Sequence, residues 1–297
     1  MLLEGFFSNK TRFHKYITIN ETANYKKRQC NELAEHLRHM GLKKEALSLK
    51  NCSSFITYAL FEDYKKVSDI RMCQKRYCPI CGDMQRSQHS HKMSTIVDTL
   101  TRYNSNLITI SLELTLRNNS VDHIRKDIKT LKTAWSKIVK CKAIKPNIIG
   151  YVYYIHPKYT NQDEYNEMNT HNHMHVIIFF KEVVEDHLKV EYWTEIFKRT
   201  AKLPYTPYVH LRMLENKEAI ITKANYAAKP LEIKHISKKD IKVYLEQIKK
   251  QRLITMSQSL NKIYKSLAIK KFTELTSEYK GRVTQYWDQD HYQLTEF

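Results

Sequence analysis

The chain has 297 residues, 42% of them hydrophobic, which suffices for a sizeable core in one large domain or two smaller ones. Lys and Arg number 50 against 31 Asp and Glu, and this net charge of +19 favours a polyanionic partner, either nucleic acid or an anionic membrane surface. No apolar run approaches the roughly 18 to 20 residues that span a bilayer and no secretory signal stands out, so we expect a soluble, cytoplasmic protein without a membrane partner.

A polar segment and a group of cysteines come first in the chain. Residues 20–50 are predicted to be helical. The stretch RMCQKRYCPICGDMQRS spaces three cysteines as C-x4-C-x2-C, and tetrahedral zinc needs four such ligands. Three residues are candidates for the fourth ligand: Cys52, His89 and His91.

The favoured interpretation of these cysteines is a structural zinc site. Its four thiols are those of Cys52, Cys73, Cys78 and Cys81. A redox-active Cys-x-x-Cys pair is the alternative, and a disulfide is less expected in a reducing cytosol. Cys30 and Cys141 are interpreted as ordinary small residues.

Strands and helices alternate through the middle of the chain. Residues 107–116, LITISLELTL, alternate apolar and polar side chains, which predicts a half-buried strand. Apolar residues then recur at steps of three and four after Ser120, which is placed to cap an amphipathic helix. The later predicted elements are strands at 148–156 and 174–180, a helix at 186–200, an extended segment at 205–214 and a helix at 215–229 that stops at Pro230. The order β-α-β-β-α-β-α predicts an α+β fold with a central antiparallel sheet of about five strands flanked by helices.

Three histidines alternate in NTHNHMHVIIFF, residues 169–180. Successive side chains of a strand point to opposite faces, so His171, His173 and His175 share one face. His156 ends the predicted strand at 148–156, which is a candidate neighbour. Neutral imidazoles from two adjacent strands make a rigid site for a divalent ion with open coordination positions. A single strand histidine is usually structural, but three alternating ones favour metal binding.

One tyrosine lies within the predicted helix of KEAIITKANYAAKP. Tyr226 has Lys223 and Lys229 on neighbouring faces, where their ammonium groups would stabilise a phenolate and a phosphate. A phenol has a pKa of about 10 and needs such help to attack, and an open metal site suits phosphodiester chemistry. The position of Tyr226 in the sequence, taken alone, is also compatible with a structural role. Among only 5 glycines there is no nucleotide-binding loop, so an ATP-driven motor is not expected.

The basic C-terminal region is predicted to be helical. Residues 233–272 contain 11 Lys and Arg against 2 acidic residues, with an apolar stripe at helical spacing. A solvated helix face explains such charges in many proteins. Beside metal sites in a basic chain, we favour a DNA contact instead.

In their order along the chain, these motifs resemble the rolling-circle replication initiators (Rep proteins) of small bacterial plasmids, within the HUH endonuclease superfamily. LITISLEL resembles the first motif of that family, THNHMHVIIFF its histidine motif and NYAAK its catalytic tyrosine motif. CQKRYCPIC resembles its cysteine region and YLEQIKKQRLITMSQSL its C-terminal segment. The predicted division is a helical segment at 1–50, a Cys-rich zinc-binding region at 51–105, an HUH endonuclease-like core at 106–232 and a basic helical region at 233–297.

The resemblance implies an enzyme that nicks one strand of a plasmid's double-strand origin at an exposed single-stranded site. Tyr226 would become joined to the 5′-phosphate, and the free 3′-OH would prime synthesis. The implied cofactors are Mn²⁺ or Mg²⁺ at the histidines and a structural Zn²⁺ at the cysteines. Origin DNA, a host helicase and a host DNA polymerase are the implied partners.

The chain departs from the family pattern at three positions. His156 stands where the family commonly has a strand-end glutamate, so the metal site is expected to be all-histidine. Thr222 stands where the family often carries a glutamate that activates water for termination, and Glu218, one turn earlier, is the candidate substitute. Asn225 replaces the lysine before the tyrosine. Initiation chemistry is expected to be intact, whereas termination is the affected step.

Two rival functions share some of these features. An HUH transposase or conjugative relaxase has similar histidines and a tyrosine, but transposases often pair their tyrosines and relaxases usually carry theirs ahead of the histidines. A zinc-containing DNA-binding regulator with structural histidines would bind DNA without cleaving it. The one-faced histidine trio argues against the regulator, because a structural zinc site needs no open position.

Overall fold

A computed structural model describes most of the chain. The described residues are 21–62, 65–104, 107–160, 169–182, 185–271 and 278–294. Residues 1–20 of the predicted N-terminal helical segment lie outside them. The described chain forms two compact units, one made of the residues up to Asp83 together with those from 278 onward, and the other made of residues 84–271.

Both helices and strands are well represented, which confirms the α+β class. The described residues form eight α-helices: α1 (Glu21–His39), α2 (Lys43–Lys50), α3 (Pro79–Tyr103), α4 (Ile124–Ile138), α5 (Val190–Ala201), α6 (Lys217–Ala227), α7 (Ile241–Ile248) and α8 (Gln258–Lys271). They also form nine strands: β1 (Phe55–Phe61), β2 (Lys65–Ile70), β3 (Ile108–Thr115), β4 (Ile148–Tyr159), β5 (Thr170–Phe180), β6 (Tyr208–Met213), β7 (Ile254–Met256), β8 (Tyr279–Asp288) and β9 (His291–Leu294).

The first unit combines α1 and α2 with a four-stranded antiparallel sheet of order β2-β1-β8-β9. The two helices confirm the helical prediction for residues 20–50. The prediction that the 233–297 region is helical is wrong at its end, because β8 pairs with β1 and β9 pairs with β8. Strand β8, YKGRVTQYWD, is rich in β-branched and aromatic residues, which favour strands. Its Val283 packs on a small core that includes Tyr58 and Leu60.

The second unit is built on a five-stranded antiparallel sheet of order β6-β3-β5-β4-β7. The predicted order of elements from β3 to α6 is confirmed, as is the estimate of about five strands. Strand β7 lies in the region that was predicted to be helical, which corrects that prediction a second time. Because β5 is the central strand, its His173 and His175 have paired neighbours on both sides.

Helices cover both faces of the five-stranded sheet. Trp135 of α4 packs edge-on against Tyr151 of β4, with ring centroids 5.3 Å apart. Buried residues from α3, α6 and α8 cover the other face: Leu100, Ala224 and Leu260. The prediction that the strand at 107–116 is half-buried is therefore wrong, since even its polar Thr109 and Ser111 are buried.

The predicted cap of α4 is also corrected. Helix α4 begins at Ile124, after a short 3₁₀ turn at Val121–His123. The Ser120 hydroxyl donates to the carboxylate of Asp122 and accepts no hydrogen bond from a backbone N–H at the start of the helical segment. Within the described part of the chain, no helix is both long and apolar enough to cross a membrane.

Candidate metal centre and nucleophile

Strand register brings three histidines together at one end of the sheet. His173 of β5 lies opposite His156 of β4, and His175 follows two residues along on the same face. The ligand nitrogens of the three side chains all lie within 4.8 Å of one another. The ring centroid of His175 lies 4.8 Å from that of His156 and 4.9 Å from that of His173. This spacing allows three imidazoles to hold one metal ion.

Burial keeps the imidazoles of His173 and His175 neutral. It lowers the pKa of His173 to about 4 and that of His175 to about 2, with smaller contributions from nearby imidazoles and lysines. A neutral imidazole has the lone pair that a metal ligand needs. Among the described residues, neither ring nitrogen of His175 has a hydrogen-bond partner, although both are buried. An ion within the cluster would satisfy one of them.

A backbone hydrogen bond orients the third imidazole. His156 Nε2 donates to the carbonyl oxygen of Ala227 at 2.6 Å, which leaves Nδ1 with the lone pair. Such a bond on the far nitrogen is typical of metal-bound histidines, because it fixes both tautomer and ring orientation. Ala227 directly follows Tyr226, so the same bond ties the end of α6 to the histidine cluster.

His171, the fourth predicted ligand, is not part of this cluster. Its Nδ1 lies 2.9 Å from Oδ1 of Asn118, and its ring is 5.3 Å from that of His173. The structure therefore brings together three of the four predicted histidines and leaves His171 at the rim of the pocket.

The asparagine between the histidines anchors the strand from its opposite face. Asn172 is completely buried, and its Nδ2 donates to the Asp127 carboxylate of α4 at 2.7 Å. Burial raises the pKa of Asp127, while its hydrogen bonds with Asn172 and Asn119 act in the opposite direction. The alternation His-Asn-His thus places the candidate metal ligands on one face of β5 and the link with α4 on the other.

Tyr226 lies in the last turn of α6, beside the histidines. The Asn216 side chain caps the start of this helix by accepting from the Ala219 N–H at 2.8 Å, and Pro230 follows its end. Tyr226 is 57% exposed, with its ring centroid 6.0 Å from that of His175. An accessible phenol and the histidine cluster therefore line the same pocket.

Two lysines flank this phenol as predicted. Lys223 Nζ lies 5.9 Å from the Tyr226 ring centroid and Lys229 Nζ lies 5.4 Å from it. Lys229 also lies 3.5 Å from the Glu232 carboxylate. Burial lowers the pKa of Lys223, and the negative charge of Glu113 opposes that effect.

The candidate water activator lies away from the pocket. Glu218 is exposed in the first turn of α6, eight residues before Tyr226. A helix rises 1.5 Å per residue, which corresponds to a separation of about 12 Å along the axis. Thr222 is exposed as well, and neither residue lines the pocket.

Glu113 is a pocket residue that the sequence analysis did not single out. It lies on β3 directly opposite His175, and its Oε2 is 3.3 Å from His175 Nδ1. The available signal was its place on the polar side of LITISLELTL. That side becomes the metal-site face only once the register with β5 is known.

Four thiols form a second candidate metal site, in the first unit. The Sγ atoms of Cys52, Cys73, Cys78 and Cys81 all lie within 4.8 Å of one another. Cys81 Sγ is 3.5 Å from both Cys52 Sγ and Cys73 Sγ. Zn–S bonds of about 2.3 Å in a tetrahedron place the sulfurs about 3.8 Å apart, so the thiols fit zinc with a small expansion. Of the alternatives for the fourth ligand, His89 instead contacts the Tyr154 hydroxyl at 2.6 Å.

Backbone amides surround these sulfurs. The N–H of Gln74 donates to Cys81 Sγ at 3.2 Å, and that of Cys81 donates to Cys78 Sγ at 3.5 Å. Gln74 has a φ of 58°, the left-handed conformation that turns its N–H inward. Donors aimed at sulfur favour thiolates, the form that binds a metal.

Two further residues of α1 reach the thiol cluster, and neither was predicted to. Cys30 Sγ lies 3.6 Å from Cys78 Sγ. The ammonium of Lys27, a residue that is only 1% exposed, donates to the carbonyl oxygens of Lys50 and Cys52 at 2.7 and 2.6 Å. Burial lowers the pKa of Lys27, and the neighbouring thiols oppose that effect.

Comparisons with known proteins agree on one family. A model of the replication protein family matches residues 64–294. The Protein rep of Lentilactobacillus hilgardii is 24% identical over 194 residues, which are 63% of this chain and 60% of that protein. The Protein rep of Lactiplantibacillus plantarum is 23% identical over 61% of this chain and 57% of its own length. That of Streptococcus pneumoniae serotype 2 is 21% identical over 68% of this chain and 66% of its own length.

These matches span about three fifths to two thirds of each relative. No solved structure matches the chain. The family match covers well over half of the chain and includes the histidine cluster, the tyrosine helix and every thiol of the cysteine cluster except that of Cys52. The chain therefore belongs to the replication protein family, the Rep family that its motifs resemble.

Proposed function

We propose that this chain initiates rolling-circle replication of a plasmid by metal-dependent nicking and rejoining of one strand of origin DNA. The observation that carries the proposal is the pocket in which the exposed Tyr226 lies beside three clustered imidazoles. A central histidine strand in a five-stranded antiparallel sheet supports the HUH endonuclease-like fold. The net charge of +19 supports DNA as the substrate.

Tyr226 is the proposed nucleophile. Its phenol loses a proton to water, and the phenolate oxygen bonds to the scissile phosphorus as the bond from phosphorus to the 3′ oxygen breaks. The 3′ oxygen takes up a proton and becomes the primer hydroxyl. Lys223 and Lys229 stabilise the phenolate and the charge that develops on the phosphate. The phosphotyrosine bond retains the energy of the phosphodiester, so rejoining needs no ATP.

The three clustered histidines are the proposed ligands of a divalent ion, Mn²⁺ or Mg²⁺. Such an ion, when bound, polarises the scissile phosphate and offsets its charge. Neutral imidazole donors favour Mn²⁺ of the two, because Mg²⁺ prefers oxygen ligands. The four thiols are the proposed site of a structural Zn²⁺.

Of the proposed steps, termination has the least support, because its candidate residue lies away from the pocket. Glu218 was the candidate for activating water, but it is exposed at the far end of α6. We therefore assign no water-activating role to it. In the proposed function the protein acts in the cytoplasm with a host helicase and a host DNA polymerase.

Covalent capture of DNA tests this proposal directly. Purified protein is incubated with labelled single-stranded origin oligonucleotides and Mn²⁺, then separated on a denaturing protein gel. We expect a metal-dependent adduct that is lost in Tyr226→Phe and in the His173→Ala/His175→Ala double variant. Tyr208→Phe is the matched control, since Tyr208 is an exposed tyrosine of β6 that does not line the pocket.

Each result has a distinct meaning. An adduct that persists in Tyr226→Phe moves the chemistry to another tyrosine and favours a transposase-like or relaxase-like arrangement. Tight DNA binding without an adduct, across the origin oligonucleotides, favours a non-enzymatic regulator and refutes the nickase.

A further inference from the structure

We propose that Glu113 is the carboxylate that positions His175 within the metal centre. It does so by accepting a hydrogen bond from His175 Nδ1, which directs Nε2 of the same ring toward the ion. The inference rests on the proposed function only in assuming that the histidine cluster binds a divalent ion.

The strand register makes this pairing direct. Glu113 and His175 are opposite each other on adjacent antiparallel strands, so their side chains project from the same face. Glu113 Oε2 lies 3.3 Å from His175 Nδ1. The terminal torsion of a glutamate is soft, so a small rotation aligns this contact as a hydrogen bond. Glu113 itself lies outside the group of three clustered ligands.

The other pocket carboxylate and the other oriented histidine already have partners, so Glu113 is the carboxylate that can orient His175. Two carboxylates line the pocket among the described residues, and Glu232 contacts Lys229 at 3.5 Å. His156 already has its orienting bond, from Nε2 to the Ala227 carbonyl. His175 is the buried cluster member whose nitrogens both lack a hydrogen bond within the described chain. A carboxylate at Nδ1 fixes the tautomer and strengthens Nε2 as a ligand.

Charge gives the same carboxylate a second effect. Three neutral imidazoles leave a divalent ion with its full charge, and the lysines around the pocket repel it. Glu113 is close enough to Lys223 for its negative charge to raise the pKa of that lysine. A carboxylate beside the cluster therefore favours binding of the cation as well as orienting its ligand.

Direct measurement of Mn²⁺ affinity tests the proposal without relying on catalysis. Free Mn²⁺ is followed by electron paramagnetic resonance while the full-length protein is titrated, for wild type, Glu113→Gln and Glu113→Asp. Loss of an orienting carboxylate typically weakens metal binding 10- to 100-fold, so we expect about that rise in Kd for Glu113→Gln. Glu113→Asp, which keeps the charge on a shorter side chain, is expected to give an intermediate value.

The controls separate positioning from folding. Glu195→Gln alters an exposed glutamate of α5 and is expected to leave the Kd unchanged. Thermal midpoints measured with a chelator present should agree between wild type and Glu113→Gln, because the substitution is isosteric. In the adduct assay, Glu113→Gln should need about 10- to 100-fold more Mn²⁺ for half-maximal product and approach the wild-type rate at saturation.

The outcomes also separate this inference from the proposed function. A Kd for Glu113→Gln within twofold of wild type overturns the positioning role, whatever happens to DNA. If wild type forms no adduct but loses Mn²⁺ affinity on Glu113→Gln, the nickase is refuted and the positioning role stands. If wild type binds no Mn²⁺ through its histidines, both are refuted.

Discussion

Replacing the buried Lys27 by methionine is the sharpest test of how the first unit is held together. The Lys27 ammonium donates to the carbonyl oxygens of Lys50 and Cys52, and so connects α1 to the segment that carries the first thiol of the cluster. Methionine has a similar length and is apolar, so the substitution removes both hydrogen bonds without leaving a large cavity. The buried carbonyl of Cys52 and the partly buried carbonyl of Lys50 then lose this donor.

The expected loss of stability follows from these two bonds. A hydrogen bond from a charged donor contributes about 1.5 to 3 kcal/mol. Removal of the buried charge offsets part of this loss of stability, because burial already disfavours the ammonium and lowers the pKa of Lys27. We therefore expect the free energy of unfolding of the first unit to fall by about 2 to 4 kcal/mol.

Hydrogen exchange of β1 and β8 peptides, followed by mass spectrometry, reads out this unit separately from the second. A loss of about 2 to 4 kcal/mol corresponds to exchange that is roughly 30- to 1,000-fold faster. The control is Lys26→Met, which removes a partly exposed 2.6 Å ion pair with Asp83 and a contact 5.9 Å from the Tyr25 ring centroid, and which should change stability by about 1 kcal/mol or less. Exchange in Lys27→Met within threefold of wild type would refute the reasoning.

Three more predictions concern the second unit. Gly150→Ala should destabilise the second unit by about 1 to 3 kcal/mol in urea unfolding, because the new Cβ would lie 2.5 Å from Leu260 Cγ. A double variant with Leu260→Ala should show strong non-additivity, and simple additivity would contradict the clash. Asn172→Ala should cost about 1.5 to 3 kcal/mol by leaving the Asp127 carboxylate without its 2.7 Å donor, and an unchanged unfolding midpoint would count against this anchor. The pKa of His173 is lowered to about 4 from 6.5, so the unfolded chain binds more protons than the folded chain between these two pH values. With a chelator present, the free energy of unfolding should therefore fall as the pH drops from 6.5 to 4 and should level off above pH 6.5. The His173→Gln substitution should reduce that slope.

Local patterns in the sequence were sufficient for much of the second unit. Alternation in LITISLELTL and helical spacing after it located β3 and α4, and the alternating histidines located the face of β5 that carries the histidine cluster. His156 was a candidate neighbour of these histidines in the sequence, and the pairing of β4 with β5 places it beside them.

Features that depend on distant pairing could not be read in the same way. Strands β8 and β9 close a sheet with β1, which lies near the other end of the sequence, and the apolar stripe at helical spacing before them suggested helices instead. Glu113 became a site residue only through its register with His175. Lys27 is in a polar helix directly after Lys26, where nothing marks it as the buried one until its carbonyl partners are known.

The split of the first unit into two chain segments has a consequence for how the protein is made. Phe55 of β1 pairs with Tyr286 of β8, so residues 84–271 are an insertion between the two segments that form one sheet. At about 5 to 20 residues per second, a ribosome needs roughly 10 to 40 s to go from β1 to β8. During that interval the whole second unit emerges and folds, while the edge of β1 that β8 will cover lacks its partner and is a site for aggregation or chaperone binding. The unit that carries Tyr226 is therefore complete before the first sheet, and a chain that stops short of β8 carries a complete second unit and an unfinished first one.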